Sequence, residues 1–165
     1  MCLTIRKAEK EEIDTAFSLL REAAEWLREE GIDYWQDWHQ PPENLRSWIK
    51  EGFDREEFYF AGMDGEIVGM FRLKYSDEMF WGEENERAGY IHSFTTRREL
   101  KGRGIGDKIL GRIEEMLKQK SIDKLRLDCG EGIDGLCEYY ENRGFKKKRV
   151  TEVEGNRLVL YEKSI

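Results

Sequence analysis

The stretch Lys101-Gly-Arg-Gly-Ile-Gly106 carries three glycines between a predicted strand and a predicted helix. Glycine has no side chain, so the backbone can approach a ligand closely at these positions. The first turn of a helix also offers unpaired N–H groups and a partial positive charge. The stretch therefore suits a phosphate or a pyrophosphate. A tight turn that requires positive φ values would use the same residues, so the glycines alone leave both interpretations open.

The strand before this turn and the helix after it belong to a longer alternation of elements. Residues 88–96 have the pattern of a strand, and residues 104–120 carry one apolar stripe at helical spacing. Asp64-Gly65 stands between two apolar-rich runs, which indicates a hairpin. The other predicted strands are 3–8, 58–62, 66–75, 125–129, 145–153 and 157–162, and the other predicted helices are 13–31, 45–52 and 135–143.

The order of these elements, β-α-α-β-β-β-α-β-α-β-β, predicts the fold class. It indicates a single domain of the α/β class with α+β character over residues 1–165. We expect a central, mixed, mostly antiparallel seven-stranded sheet flanked by helices. Residues 76–87 are acidic and contain Trp81-Gly82, and we expect a loop there.

Charge and composition exclude several classes of function. The chain has a net charge of −7, and duplex nucleic acid and anionic membranes repel such a surface on average. The basic run Lys146–Arg149 is interpreted as a solvated strand end, with phosphate binding as the alternative. The N-terminal residues lack an apolar run long enough for a signal peptide or a membrane span. We therefore expect a cytoplasmic protein that binds neither nucleic acid nor membrane, and the sequence leaves its oligomeric state open, a homodimer included.

The cysteines and histidines do not have the spacing of a metal site. The chain contains three cysteines and two histidines, with no C-x-x-C pair, and His39 and His92 are far apart. We therefore predict that no metal is bound. Cys129 and Cys137 are interpreted as inert packing, with a covalent acyl relay as the alternative.

Two common phosphate-binding patterns fail at the glycine turn. A Walker A loop and a dinucleotide fingerprint that start at Gly102 both require a glycine where Asp107 stands. A dinucleotide fingerprint that starts at Gly104 fails at Ile109. The turn also follows the fourth predicted strand instead of the first, which is late for a Rossmann unit. Neither ATP hydrolysis nor NAD chemistry is supported.

The turn resembles the signature of the GNAT family of acetyl-CoA-dependent N-acetyltransferases, Gln/Arg-x-x-Gly-x-Gly/Ala, with Lys101 in the first position. A second match lies downstream, where Tyr140-Glu-Asn-Arg-Gly-Phe145 is similar to the Tyr-x-x-x-Gly-Phe segment of that family. Leu127-Asp128-Cys129 precedes it as the family's fifth strand, and the element order matches along nearly the whole chain. One position departs, because Ile133 stands where many relatives carry an asparagine that can touch the cofactor.

The resemblance implies acetyl-CoA as co-substrate. In the family, backbone groups of the fourth strand bind the pantetheine, and one amide polarises the thioester carbonyl. The corresponding residues here are Phe94, Thr95 and Thr96. The pyrophosphate would lie on the turn, which consists of Lys101, Gly102, Arg103, Gly104, Ile105, Gly106 and Asp107.

The resemblance also implies direct attack of a neutral amine on acetyl-CoA, which requires a base and an acid. His92 stands where some relatives hold a glutamate base, and the alternative is a histidine packed within the strand. Asp128, Glu131 and water are further candidates for the base. Tyr140 matches the general acid that protonates the departing thiolate, and the alternative is a core aromatic under Phe145.

The acceptor is expected to be a small-molecule amine or a protein amine, which the sequence does not identify. Aromatic and acidic residues share the segments on the expected acceptor side and could hold a cationic amine, although solvated loop charge would give the same pattern. These residues are Trp35, Trp38, Asp77, Glu78, Phe80, Trp81, Glu83, Glu84 and Glu86. The alternative function is a non-catalytic acyl-CoA-binding or regulatory module on the same fold.

Overall fold

The computed structural model describes residues 2–165, which form the predicted strands and helices in the predicted order, with one additional short α-helix between the third and fourth strands. The strands are β1 (Thr4–Lys7), β2 (Phe58–Met63), β3 (Glu66–Lys74), β4 (Gly89–Thr96), β5 (Lys124–Gly130), β6 (Lys146–Val153) and β7 (Asn156–Ser164). The α-helices are α1 (Ile13–Glu29), α2 (Glu43–Asp54), α3 (Glu78–Trp81), α4 (Ile105–Gln119) and α5 (Asp134–Glu141). Three short 3₁₀ helices cover Lys10–Glu12, Gln36–His39 and Arg98–Leu100.

The strands form one seven-stranded sheet in the order β1-β2-β3-β4-β5-β7-β6. β4 and β5 pair in parallel at Gly89–Leu125 and Tyr90–Arg126. The pairs β1/β2, β2/β3, β5/β7 and β6/β7 are antiparallel. The predicted fold class, an α/β chain with a mixed sheet, is confirmed.

The loop predicted at residues 76–87 is wrong in part, because α3 lies within it. The Trp81 N–H donates to the carbonyl oxygen of Asp77 at 2.8 Å and closes the single helical turn. Gly82 follows with φ of +73°, a value that ends the helix without side-chain strain. A four-residue helix is too short to show a 3.6-residue period, and the burial of Trp81 could not be read from its acidic neighbours.

Contacts divide the described chain into two compact units. The first unit comprises residues 2–72 and Ser93–Arg112, and the second comprises Leu73–His92 and Ile113–Ile165. β4 contributes to both, because its first half belongs to the second unit and its second half to the first. That residues 1–165 form a single domain stays a prediction.

The core of the first unit lies where α1 and α2 pack on the apolar face of β2. The spacing of the apolar residues along α1 places its buried side chains on one stripe. Buried members of this core are Ala16, Leu19, Leu20, Ala24, Trp38, Ile49, Phe53, Phe58, Phe60 and Met70. Arg72 is buried beside this core because Glu57 accepts from its guanidinium at 2.6 Å and the ring of Trp48 lies 4.0 Å away.

Gly69 of β3 allows a close approach between elements of the first unit. A Cβ atom at this position would lie 2.7 Å from Cδ1 of Ile109 in α4 and 2.9 Å from the carbonyl oxygen of Thr95 in β4. Both distances are too short for a side chain, so only glycine fits. Ile109 of α4 and Thr95 of β4 therefore both pack closely against Gly69 of β3.

The second unit is built around β5, β7 and β6. Arg126 on β5 is buried, and its guanidinium donates to Glu162 at 2.8 Å and to the hydroxyl of Tyr90 at 2.7 Å. β6 ends the sheet order, and Lys146–Lys148 are exposed on it. Exposed lysines are common on edge strands, where they discourage pairing with another chain. The interpretation of this run as solvated strand is therefore consistent with the structure.

Among residues 2–165, no helix has the length and apolar character that a membrane crossing requires. The cytoplasmic location and the oligomeric state stay predictions.

Candidate functional site

The glycine turn lies in the first unit, between the 3₁₀ helix at Arg98–Leu100 and α4. Gly102 and Gly104 have φ values of +82° and +73°, in the region that side chains of L-residues avoid. A Cβ atom built on either glycine would have no neighbour within 4 Å. The backbone conformation therefore requires glycine, and the space beside it is open to a ligand.

Two backbone N–H groups of the turn donate hydrogen bonds within the turn itself. The N–H of Lys101 donates to Arg98 and that of Arg103 donates to Leu100, at 3.0 and 3.2 Å. Within α4, the first hydrogen bond of this kind joins the N–H of Lys108 to the carbonyl of Gly104 at 3.1 Å. The first N–H groups of an α-helix have no acceptor within the helix, and α4 begins at Ile105 and Gly106. Of the predicted pyrophosphate contacts, Lys101 and Arg103 therefore use their backbone N–H groups within the turn and have their side chains for a ligand.

Side chains from α1 hold the segment that precedes the turn. Glu22 accepts from the guanidinium of Arg97 at 3.1 Å and from the N–H of Arg98 at 3.3 Å. The guanidinium of Arg98 lies 3.3 Å from the ring centre of Trp26, and the ammonium of Lys101 lies 5.1 Å from it. Two positively charged groups thus contact the ring of Trp26 beside the turn. No local pattern marks Glu22 or Trp26 in the sequence, because their partners lie more than 70 residues away.

The predicted pantetheine residues follow a break in the regular geometry of β4. Ser93 has φ of +53°, although it is not a glycine and lies inside the strand. A left-handed residue within a strand interrupts the alternation of its side chains and redirects the backbone that follows. Phe94 and Thr96 are partly exposed after this point, and Thr95 is buried. Sparsely populated backbone conformations of this kind are concentrated at functional sites.

The second unit places His92 between two carboxylates. Nε2 of His92 lies 2.6 Å from Oδ2 of Asp77, and Nδ1 lies 3.5 Å from Oδ2 of Asp128. The ring of Phe80 covers the imidazole with a centroid distance of 4.6 Å. The exposed side-chain fractions are 0% for Asp77, 8% for His92 and 11% for Asp128, so water screens these charges weakly.

The surroundings of Asp128 and Glu131 shift the pKa values of their carboxyl groups in opposite directions. Burial raises the pKa of Asp128 to about 6; His92 opposes this rise and Asp77 adds to it. Glu131 is exposed and accepts from Nε of Arg157 at 3.0 Å, and this hydrogen bond lowers its pKa. A base works best when its pKa lies near the working pH. Asp128 therefore has the more suitable pKa, and the structure brings Asp128, not Glu131, to His92.

Tyr140 lies on α5 and is buried. Its ring packs edge-on against Phe145 at a centroid distance of 5.6 Å and against Tyr139 at 5.3 Å. The ring of Tyr140 therefore packs as a core aromatic residue. Its hydroxyl is a separate group, and the assignment of this hydroxyl as general acid stays a prediction.

Cys129 and Cys137 face each other, with their Sγ atoms 2.9 Å apart. Burial raises the pKa of the Cys129 thiol, and the hydrogen bond to Cys137 adds to the effect. A thiol with a raised pKa is a poor nucleophile, because the thiolate is the reactive form. The pair therefore fits the packing interpretation better than an acyl relay.

Of the aromatic residues on the expected acceptor side, Trp38 and Trp81 are buried, and Trp35 and Phe80 are partly exposed. The guanidinium groups of Arg126 and Arg149 lie 4.8 and 5.5 Å from the ring centre of Trp81. Glu84 lies 3.8 Å from the guanidinium of Arg126. The protein's own arginines thus occupy this aromatic and acidic cluster. Within residues 2–165, no three of the His, Cys, Asp and Glu side chains are grouped as a metal site would require.

Comparison with known proteins identifies the family of this chain. Residues 21–145 match the family model described as "Acetyltransferase (GNAT) family". The uncharacterized N-acetyltransferase YesJ of Bacillus subtilis (strain 168) is 25% identical over 147 residues, which cover 82% of this chain and 77% of YesJ.

Two solved structures are similar to the chain over its whole length. One is an acetyltransferase of the GNAT family from Listeria monocytogenes 4b F2365, with a TM-score of 0.77, 22% identity and coverage of 99% of this chain and 95% of that one. The other is the PaiA N-acetyltransferase from Thermoplasma acidophilum in complex with coenzyme A, with a TM-score of 0.65, 22% identity and full coverage of both chains. At these identities the two structures support the fold alone. The match to the family model spans well over half of the chain, from α1 to the end of the Tyr140–Phe145 segment, and this chain therefore belongs to the GNAT family of acetyltransferases.

Proposed function

We propose that this protein is an N-acetyltransferase that moves the acetyl group of acetyl-CoA to a primary amine by direct attack. The acceptor is a small-molecule amine or an amine of a protein. The observation that carries the proposal is the turn before α4, where Gly102 and Gly104 take positive φ values beside open space. A turn of this shape at a helix N-terminus is suited to a pyrophosphate.

The proposed cofactor site extends from the turn to the end of β4. The pyrophosphate of acetyl-CoA is assigned to the first turn of α4, from Gly104 to Asp107, and to the residues Lys101–Arg103 before it. Arg98 and Lys101 on the ring of Trp26 add positive charge beside an anion that the net charge of −7 would otherwise repel. The backbone groups of Phe94–Thr96 are assigned to the pantetheine, after the break at Ser93.

The proposed chemistry begins with the removal of a proton. An aliphatic amine with a pKa near 10.4 is about 3.4 units above neutrality, so only about one molecule in 2,500 is uncharged at pH 7. His92 is assigned as the base, with Asp128 beside it. The neutral amine then attacks the thioester carbonyl carbon, and a backbone N–H of Phe94–Thr96 stabilises the oxyanion. The C–S bond breaks, and the hydroxyl of Tyr140 protonates the thiolate. The scheme uses no metal ion.

The proposal is tested by thiol release from acetyl-CoA with a panel of cationic, neutral and anionic amines. We expect release that depends on the amine, together with an acetylated product whose mass is that of the amine plus one acetyl group. A reaction without amine measures background hydrolysis. Tight binding of coenzyme A with no amine-dependent release would instead favour a non-catalytic acyl-CoA-binding module. The substitution of the family's usual asparagine by Ile133 is the feature that favours this second function.

A further inference from the structure

Asp77 belongs to the acidic segment before α3, but its side chain is fully buried, unlike a solvated loop residue. Its Oδ2 atom lies 2.6 Å from Nε2 of His92, a short distance that is typical of a charge-assisted hydrogen bond. A carboxylate can only accept, so Nε2 must carry the proton. A neutral imidazole has one N–H group, and the lone pair of His92 then lies on Nδ1.

The other ring nitrogen faces a second carboxylate. Nδ1 of His92 lies 3.5 Å from Oδ2 of Asp128, and this buried oxygen has no hydrogen-bond partner. When both groups are unprotonated, a lone pair and a carboxylate oxygen face each other with no hydrogen between them. A proton that arrives there is attracted by both atoms, and the two carboxylates stabilise the imidazolium that results.

We propose that Asp77 is a positioning residue for the base of the reaction: it keeps the proton of neutral His92 on Nε2 and turns the basic Nδ1 toward Asp128. The His92–Asp128 pair then receives the proton of the acceptor's ammonium group. The inference rests on the proposed function, because the base has a task only if an amine is acetylated. Catalytic groups are commonly oriented by a second side chain in this way.

The protons balance over the cycle. The ammonium gives its first proton to the His92–Asp128 pair, which later returns it to solvent. The neutral amine forms the C–N bond, and its nitrogen then loses a second proton. The C–S bond breaks, and the thiolate takes the proton of Tyr140. The second proton from nitrogen restores the Tyr140 hydroxyl, so one proton is released for each ammonium acetylated.

The charged groups around His92 come from three elements besides β4. Asp77 precedes α3, Asp128 lies on β5, and Nζ of Lys74 on β3 lies 3.9 Å from Oδ1 of Asp77. The backbone carbonyl of Asp77 also accepts the N–H of Trp81. Asp77→Asn keeps this backbone hydrogen bond, so a purely structural role of the side chain would appear as lost stability of the folded protein, whereas a positioning role changes the tautomer of His92 and the turnover number.

The tautomer can be measured directly, because the chain has only two histidines. In a His39→Gln background, His92 is the only imidazole, and ¹⁵N NMR distinguishes its protonated nitrogen from its unprotonated nitrogen. We expect the neutral ring to carry its proton on Nε2. In Asp77→Asn, whose amide can either donate or accept, we expect this preference to be lost or reversed. A wild-type ring with its proton on Nδ1 would overturn the proposal before any variant is made.

Kinetics provide the second measurement. We expect Asp77→Asn to lower kcat by about 10- to 100-fold, which is part of the effect of a positioned base, and to leave KM for acetyl-CoA within about 2-fold. The matched control is Asp64→Asn, an exposed aspartate in the β2–β3 turn, for which we expect the wild-type rate. Unchanged kcat in a folded Asp77→Asn variant would refute the positioning role.

The two measurements separate this inference from the proposed function. If the wild-type protein releases no thiol with any amine, the proposed function fails, whereas the NMR measurement still decides whether Asp77 fixes the tautomer of His92. If amines are acetylated and the His92 ring carries its proton on Nδ1, the proposed function is supported and the positioning role of Asp77 is refuted.

Discussion

The ring of Tyr140 packs in the core, whereas its hydroxyl is the proposed general acid. The ring is buried and packs edge-on against Phe145 at 5.6 Å, and phenylalanine would keep this contact. We therefore predict that Tyr140→Phe unfolds at a temperature close to that of the wild type. We expect kcat to fall by about 100-fold or more, because the thiolate loses its proton donor, while affinity for coenzyme A changes by less than about 2-fold.

The neighbouring tyrosine supplies the control for this prediction. Tyr139 lies one position along α5, and the guanidinium of Arg143 lies 3.5 Å from its ring centre. Tyr139→Phe removes a hydroxyl from the same helix and should retain the wild-type kcat. Thermal unfolding, coenzyme A titration and steady-state kinetics on both variants complete the comparison. Equal turnover of Tyr140→Phe and the wild type would remove Tyr140 from the mechanism.

A site residue could be predicted from the sequence when it belongs to a short motif, and not when its role depends on contacts with residues far along the chain. Gly102, Gly104 and Tyr140 belong to short motifs, so their positions could be named from the sequence. Asp77 could be named only as one of several acids in a predicted loop, because the contact that distinguishes it is made with His92 on β4, 15 residues along the chain. Trp26 is a similar case, since its role depends on Arg98 far along the chain.

The turn before α4 is the element on which the cofactor assignment depends. We predict that Gly104→Val abolishes coenzyme A binding, because valine blocks the open space and opposes a φ of +73°. The backbone strain costs about 1–2 kcal/mol by itself and would lower stability wherever it occurs. A control must therefore carry the same strain without touching the cofactor.

Gly65 provides this control within the same unit. It lies in the β2–β3 turn with φ of +82°, and a Cβ atom there would also have no neighbour within 4 Å. We expect Gly65→Val and Gly104→Val to lose similar amounts of stability in urea unfolding. Calorimetric titration with coenzyme A should show wild-type affinity for Gly65→Val only. Retained binding in Gly104→Val would refute the pyrophosphate site.

Element types were predicted better than the irregularities inside them. Residues 88–96 were predicted as a strand from their pattern, and β4 covers Gly89–Thr96. The left-handed Ser93 inside it could not be predicted, because neither glycine nor asparagine marks that position. Along the chain, this break lies between the predicted base and the predicted pantetheine residues.

The architecture of the whole molecule followed from the order of its elements, whereas the order of strands in the sheet did not. A hairpin such as β2–β3 is determined by the turn at Asp64-Gly65. β7 lies between β5 and β6, and this placement depends on contacts between residues far apart in the chain. The buried charges of the second unit depend on the same contacts, and they affect the stability of the molecule.

Asp128 links the proposed site to the stability of the protein. Burial raises its pKa from 3.8 to about 6, so the folded state binds the proton more tightly than the unfolded state. A raised pKa contributes stability that is fully present below about pH 4 and is lost as the pH rises through about 6. Above that pH the buried carboxylate is charged and opposes folding. An asparagine at this position would be neutral at every pH, and it has nearly the same shape.

We therefore predict that Asp128→Asn gains stability relative to the wild type as the pH rises. The free energy of unfolding of the variant minus that of the wild type should rise by about 2 kcal/mol as the pH goes from about 4 to 7. This magnitude follows because one pKa unit corresponds to about 1.36 kcal/mol. The same variant should acetylate amines more slowly, because the His92–Asp128 pair loses its carboxylate. Urea unfolding over this pH range measures the first effect, with Glu131→Gln as the control, because the carboxylate of Glu131 has a lowered pKa. A stability difference that does not change with pH would show that Asp128 is not buried as a costly charge.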